Sequence, residues 1–341
     1  MFTTSTWDPQ AWIDEDVADR IMTASPGIAG ALRVARALAP LGPRIGETSW
    51  PVLSALATAG SLDLSIARAI EPHLDALAII SQSARTATPA REYAVDATWG
   101  VYAASPPGTR LLAEAQPGGD DWTMTGAKPW CSLADHVSHA LITATLPGGE
   151  QQLFALSLAQ PGVEPRMSLW KAHGLPTITT GTVHLRGAHA HPVGPAGWYV
   201  DRPGFAWGGI AVAAVWFGAA AAIAGALWTA AAKRSPDQIA LMHLGAADAI
   251  LHGALVSLRS AADVMDDAPL TSHDAAVLAA RTRSCVAEAA ERVLTIVGHA
   301  LGPGPLAFDQ PHLQRVADLT LYLRQHHAER DQARLGELVA P

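Results

Sequence analysis

Residues 121–146, DWTMTGAKPWCSLADHVSHALITATL, decide how this chain is read. Trp122 and Met124 alternate with polar neighbours, Gly126 breaks the run, and Val137, Ala140, Ile142 and Ala144 resume it, a pattern that predicts two strands joined by a turn. Between them stands Trp130-Cys131-Ser132. A flat aromatic followed two residues later by a small hydroxyl, at a strand end, can cover one face of a planar cofactor and offer it a hydrogen bond. Taken alone, the triplet reads as a core tryptophan and a turn serine. The elements around it change that reading.

On the N-terminal side the period is helical. Ile28, Leu32, Ala35 and Leu38 recur at helical spacing until Pro40 and Gly42-Pro43 stop them, Trp50 to Ala59 begins a further helix, and Leu62, Ile66, Ile70, Leu74 and Leu77 form another stripe. From about 93 to 197, Pro and Gly recur between the short runs 137–146, 152–158 and 181–185, which predicts an antiparallel β module. Helices return over 205–233, 238–268, 273–298 and 313–338, each bounded by Pro, Gly or Asp/Ser caps. The chain thus reads as α+β, with a helical domain at 1–92, a β domain at 93–197 and a helical bundle at 198–341.

Composition bounds what the chain can do. With 341 residues, 49% hydrophobic and 16% charged, it can bury a sizeable core and is long for one module. A net charge of −8, with scattered arginines and no basic stripe, argues against nucleic acid as a partner. Cys131 and Cys285 lie far apart and in no metal spacing, which fits a reducing compartment. The N-terminal residues have an early acidic run and neither a basic nor an apolar leader region, so the expected location is the cytoplasm. The uncharged stretch from Phe205 to Ala232 has the length of a membrane span, but its apolarity comes from Ala and Gly, so a buried bundle helix is expected instead.

Other motifs are set aside. His136, His139, His184, His189 and His191 have no Cys or acidic partner at zinc-site spacing and read as surface histidines, so no metal is expected. Gly302-Pro303-Gly304-Pro305 lacks the N–H groups a phosphate cradle needs. There is no G-x-S-x-G elbow, P-loop or H-E-x-x-H.

Helices, then a β module, then long helices is the order of the acyl-CoA dehydrogenase superfamily, and four segments resemble its motifs. Gly126-Ala127-Lys128-Pro129-Trp130-Cys131-Ser132 is similar to "G-x-K-x-W-I-T", which in that family lies against the flavin ring. His173 to Val183, followed by Val193-Gly194, is similar to its "G-x-R-x-[ST]" strand and exit. Glu291 to Leu306 occupies the place of its Gln/Gly-rich turn, and Arg315-Val316-Ala317-Asp318 resembles the "R-x-x-R-D" that opens the last helix. The resemblance implies a shortened N-terminal helical domain, a central antiparallel β-barrel or sandwich domain and a C-terminal four-helix bundle. It also implies FAD between the last two, held by Trp130 and Ser132, and a homodimer or homotetramer built on the C-terminal helices.

Departures from the family pattern shape the functional expectation. The family's catalytic carboxylate falls, counting from Asp318, at His326. His326 could accept a proton near neutral pH, and so could Glu329 if the two share a helix face and burial raises the carboxyl. The same residues also read as a charged, solvated helix end. The "T-E-P-x-x-G-S-D" loop is reduced to Ala103 to Arg110, leaving Ser105 and Arg110 as polar candidates, and the "R-x-x-F-G" segment to Lys233-Arg234-Ser235-Pro236, leaving Lys233 or Arg234 for a phosphate. The resemblance implies an oxidoreductase acting on a CH–CH bond of an acyl-thioester substrate by α-proton abstraction and hydride transfer to flavin. A flavin-dependent monooxygenase of the same fold, which needs no carboxylate base, and a flavin-free binding or assembly subunit are the alternatives.

Overall fold

The computed structural model describes residues 12–86, 93–94, 96–117, 121–167, 169–267 and 269–341. Helices come first: α1 (Glu15–Met22), α2 (Ile28–Ala37), α3 (Ser49–Leu62) and α4 (Leu64–Ser83). Asp14 and Asp63 cap α1 and α4 by accepting from main-chain amides of the first turn. α3 is apolar on nearly every side because it is buried on nearly every side, against α4 and the later helix α6 (Gly204–Lys233). Gly60 and Gly218 make that crossing possible: a Cβ at Gly218 would stand 1.8 Å from the Ala57 carbonyl oxygen, and one at Gly60 2.4 Å from that of Val215.

Seven strands follow: β1 (Trp99–Tyr102), β2 (Leu111–Ala115), β3 (Trp122–Ser132), β4 (His139–Thr145), β5 (Gln151–Ser157), β6 (Val163–Arg166) and β7 (Thr180–Pro192). The pairings β4–β2, β2–β3, β3–β7, β7–β5 and β5–β4 close a ring, with β1 flanking β4 and β6 flanking β7. The barrel is mixed rather than antiparallel as expected, since β4 runs parallel to β1 and, through Leu112 and Thr145, to β2. β4 and β5 are buried on both faces, one toward the barrel interior and the other toward Ala76 and Ile79 of α4. Their continuous apolar runs follow from this double burial. Gly126 does not break β3: it pairs with Leu111 and Leu185 at φ +135°, and its missing side chain admits the Arg110 carbonyl, 2.2 Å from where a Cβ would be.

After the short helix α5 (Trp198–Asp201) come α6, α7 (Gln238–Asp267) and α8 (Ser272–Leu301), then α9 (Gly304–Phe308), α10 (Gln310–Tyr322) and α11 (Glu329–Val339). The single helix expected over 313–338 is interrupted: α10 passes into a 3-10 turn at Leu323–Gln325, His326 is extended, and Ala328 has φ +48° before α11 starts. Among the described residues, two helices are long and apolar enough to cross a membrane. Of the most apolar window of α6, 83% is buried in the protein, as expected for a core helix, whereas only 17% of that of α7 is.

Candidate active site

A cleft of about 1200 Å³ opens between one face of the barrel, the inward face of α4, and α6, α8 and the α10–α11 junction. Its barrel wall is shaped by an irregularity in β3. The register of β3 against β7 slips between Lys128 and Cys131, and Trp130 takes a left-handed conformation at φ +61°, which costs a non-glycine residue about 1–2 kcal/mol. The slip turns Cys131 fully inward and leaves the Trp130 ring 64% exposed on the cleft wall. Ser132 faces the cleft with Thr180, their hydroxyl oxygens 2.9 Å apart, while the Tyr102 hydroxyl donates to the Ser132 carbonyl at 2.9 Å. Burial pushes the Cys131 thiol up to about 12, so it stays protonated.

Behind this wall Lys128 is buried with no carboxylate partner among the described residues. Its Nζ donates to the Thr143 hydroxyl at 2.7 Å, to the Thr143 carbonyl at 2.9 Å and to the Ser105 hydroxyl at 3.2 Å. Burial lowers this lysine to about 8.

The helical wall is charged. Arg68, Glu71 and Asp75 repeat at i, i+3 and i+7, one face of α4, and all three line the cleft. Arg68 Nη1 bonds Glu71 Oε2 at 2.6 Å, and the guanidinium lies 4.9 Å from the centre of the Tyr322 ring. Burial raises Glu71 to about 7, against the opposing pull of Arg68 and with help from the charge of Asp75. Burial raises Asp75 as well, opposed by Arg202. Arg283 of α8 reaches across the cleft floor, donating to the carbonyls of Gly209 at 2.9 Å and Gln325 at 3.3 Å with its plane 4.8 Å from the Trp216 ring.

His326 enters the cleft because the helix breaks there. Its side chain is 10% exposed, its ring stands edge-on to Trp216 at 6.3 Å, and its Nε2 lies 3.9 Å from Asp331 Oδ2. That Nε2 is buried and has no hydrogen-bond partner among the described residues. Burial lowers His326 below the ordinary histidine value, partly offset by Asp331, so the imidazole is neutral at pH 7.

Trp130, Ser132 and His326 therefore come together on one cleft. Glu329 does not join them: the break at Ala328 makes it the first residue of α11, exposed and outside the lining, rather than a neighbour of His326 on one helix face. Ser105 is exposed and accepts from Lys128 outside the lining, and Arg234 is an exposed cap at the C-terminus of α6. His139 and His191, read as surface histidines, have partners: His139 bonds Ser138 at 2.9 Å and packs on Trp99, and His191 faces Asp121 at 3.5 Å. Among the described residues no group of three or more His, Cys, Asp or Glu is placed to hold a metal ion. Sequence reasoning missed Arg68, Glu71, Asp75, Arg202 and Arg283. The signal lay in the i, i+3, i+7 spacing of three charges in a chain with few of them.

No protein-family model matches the chain, and no curated protein matches it. Solved structures do. KijD3, in complex with FMN and dTDP-3-amino-2,3,6-trideoxy-4-keto-3-methyl-D-glucose, is similar with a TM-score of 0.78 and 18% identity over 98% of this chain and 94% of that one. The dibenzothiophene monooxygenase TdsC from Paenibacillus sp. A11-2 gives 0.76 and 18% over 94% and 92%. A Tcur3481-Tcur3483 steroid ACAD variant gives 0.68 and 18% over 97% and 92%. The chain has the acyl-CoA dehydrogenase fold. The likeness to KijD3 spans nearly the whole length of this chain.

Proposed function

We propose that this chain is a flavin-dependent oxidoreductase of the monooxygenase type, acting on a small molecule held in the cleft. The observation that carries this reading is the pairing of two unlike walls: an exposed tryptophan with two hydroxyls on one side, and a histidine with an unpartnered Nε2 on the other. Pockets for one small ligand run to about 300–1,000 Å³, so a cleft of about 1200 Å³ has room for a flavin ring and a substrate together. The barrel wall fits a flavin, with the Trp130 ring to cover one face and the Ser132 and Thr180 hydroxyls to meet its polar edge. Bound there in reduced form, it supplies the electrons that oxygen insertion requires. His326, neutral and shielded from water, holds or accepts the proton at the reacting atom, with the Asp331 carboxylate as a nearby charge that raises its affinity for that proton. KijD3 and TdsC, both solved with FMN, support this reading and set FMN beside FAD as the cofactor.

Dehydrogenation of a CH–CH bond in an acyl thioester is the second reading, supported by the steroid ACAD of like fold, with His326 taking the α-proton. The visible absorption spectrum of the purified chain with FMN or FAD tests both. Flavin bands, followed by substrate-dependent oxygen uptake with reduced flavin, establish the monooxygenase reading. Bleaching of oxidised flavin by acyl-CoAs establishes the dehydrogenase. A protein that takes up neither flavin sinks both and leaves a flavin-free binding or assembly subunit.

The expected homo-oligomer belongs to the same proposal. α7 leaves Ile239, Leu241, Met242 and Val256 more than half exposed along its outer side, an apolar face that a second copy of the chain covers. Sedimentation of the wild type as a dimer or tetramer, and of Met242→Asp as a smaller species, is the expected result; a monomeric wild type overturns it.

A further inference from the structure

Asp318 of α10 is a buried carboxylate that none of the steps above uses. It reaches the connection between β6 and β7, where its Oδ1 accepts from the main-chain N–H of Leu175 at 2.5 Å and from Gln314 Nε2 at 2.6 Å. The same Gln314 nitrogen donates to the His173 carbonyl at 3.2 Å, so two side chains one turn apart on α10 grip the connection at two points. Between those points Gly174 lies directly on the helix: a Cβ there would stand 2.3 Å from the Ala317 carbonyl oxygen.

What is gripped leads to the cleft. The Leu175 carbonyl accepts from Trp170 Nε1 at 3.2 Å and from the Ile178 N–H at 3.0 Å, and Trp170, Leu175 and Ile178 all line the cleft. Leu175 holds φ +50°, a conformation that a leucine keeps only where its surroundings impose it. A charge-assisted bond from its N–H to a buried carboxylate supplies that restraint. The indole of Trp170 is therefore oriented at one remove, carboxylate to leucine N–H and leucine carbonyl to indole N–H. Trp170 itself is only partly buried, so its ring keeps apolar surface for a ligand in the cleft.

We propose that Asp318 is a positioning residue: through Leu175 it fixes the Trp170 ring on the cleft wall, and that ring packs against the apolar part of the substrate. This rests on the cleft being the substrate site of the proposed oxidoreductase and assigns specificity within it to Trp170 and Asp318.

Calorimetric titration of the full chain with 2-naphthol, a planar neutral probe, with and without FMN, tests the assignment through a double-mutant cycle. Trp170→Ala is expected to weaken the probe about tenfold, and Asp318→Ala by a comparable factor. The double variant should bind within about twofold of Trp170→Ala alone, because Asp318 acts through the ring already removed. Asp318→Asn keeps a carbonyl oxygen for the Leu175 N–H and restores binding to within about twofold of the wild type. Gln314→Ala, a milder break in the same clamp, carries the same cycle should Asp318→Ala not fold, with a smaller loss that Trp170→Ala again absorbs. Losses that multiply in the double variant, an Asp318→Ala that binds like the wild type, or a wild type that does not bind 2-naphthol overturns the proposal. Since binding is read without turnover, a coupled loss in a protein that takes up no flavin keeps the positioning role and overturns the oxidoreductase reading. Flavin uptake with multiplying losses does the reverse.

Discussion

On the barrel side the cleft is faced by Trp130, Ser132 and Thr180, neutral groups fixed to a closed sheet; on the helical side it is faced by Arg68, Glu71, Asp75, Arg283 and His326, held by three separate helical segments. The barrel wall is positioned by main-chain pairing, so its geometry is set by register and one left-handed residue. The helical wall is positioned by ion pairs and by bare glycine backbone at Gly208 and Gly209, where Asp75 and Arg283 settle. A neutral, rigid surface suits a ring that every turnover shares. A charged surface with protonation states near neutrality suits selection and proton handling.

The largest effect expected from this division is on the helical side. His326→Ala should lower kcat by about 10²- to 10⁴-fold while flavin affinity stays within a factor of about two, because the proton-handling group is lost and the barrel wall is untouched. A parallel loss of flavin affinity would break the division. Trp130→Ala is the converse: flavin affinity read by visible absorbance should fall about 10- to 100-fold.

Lys128 probes a buried charge behind the barrel wall. Its folded value is about 8, below its ordinary 10.5, so the unfolded chain holds that proton to higher pH. The stability tied to it is complete above about 10.5 and is lost as pH falls through about 8, with a slope on the order of 1 kcal/mol per pH unit between them. Thermal or urea melts across that window should show the slope in the wild type and a flatter profile in Lys128→Met; identical profiles would remove Lys128 as its source. The smallest effect belongs to Asp331→Asn. Asp331 raises His326 against the pull of burial, so removing its charge should move the acid limb of the pH–activity profile further down. A shift upward would place another group on that limb.

Trp130, Ser132 and His326 were legible in the sequence, and the charges of α4 and α8 that share their cleft were not. Trp130 and Ser132 sit two apart near a strand end and both line the cleft, a placement that local pattern anticipates. On α4 the reading followed the apolar stripe of Leu62, Ile66, Ile70, Leu74 and Leu77 and gave no role to the charges between them. Yet Leu62, Ile66 and Leu77 are only partly buried, while Arg68 and Glu71 are nearly inaccessible. Helical periodicity separates polar from apolar faces but does not say which one meets another element. Glu329 does not sit beside His326 for a related reason: their spacing implied a shared face only for an unbroken helix, and the positive φ at Ala328 separates them. The alternating runs likewise foretold strands but not that β4 pairs parallel to β1, since pairing direction depends on residues 40 positions away.

The crossing of α3 and α6 constrains how the cleft can diversify. With a carbonyl of each helix seated against a glycine of the other, the two backbones are in direct contact, and neither can slide or part without opening a void or a clash. Of the helices that wall the cleft, α6 is therefore locked to α3, and a route that enlarges the site by drawing α6 away from α3 is closed. New substrates are reached more readily by exchanging side chains at positions such as Phe205 or Val212.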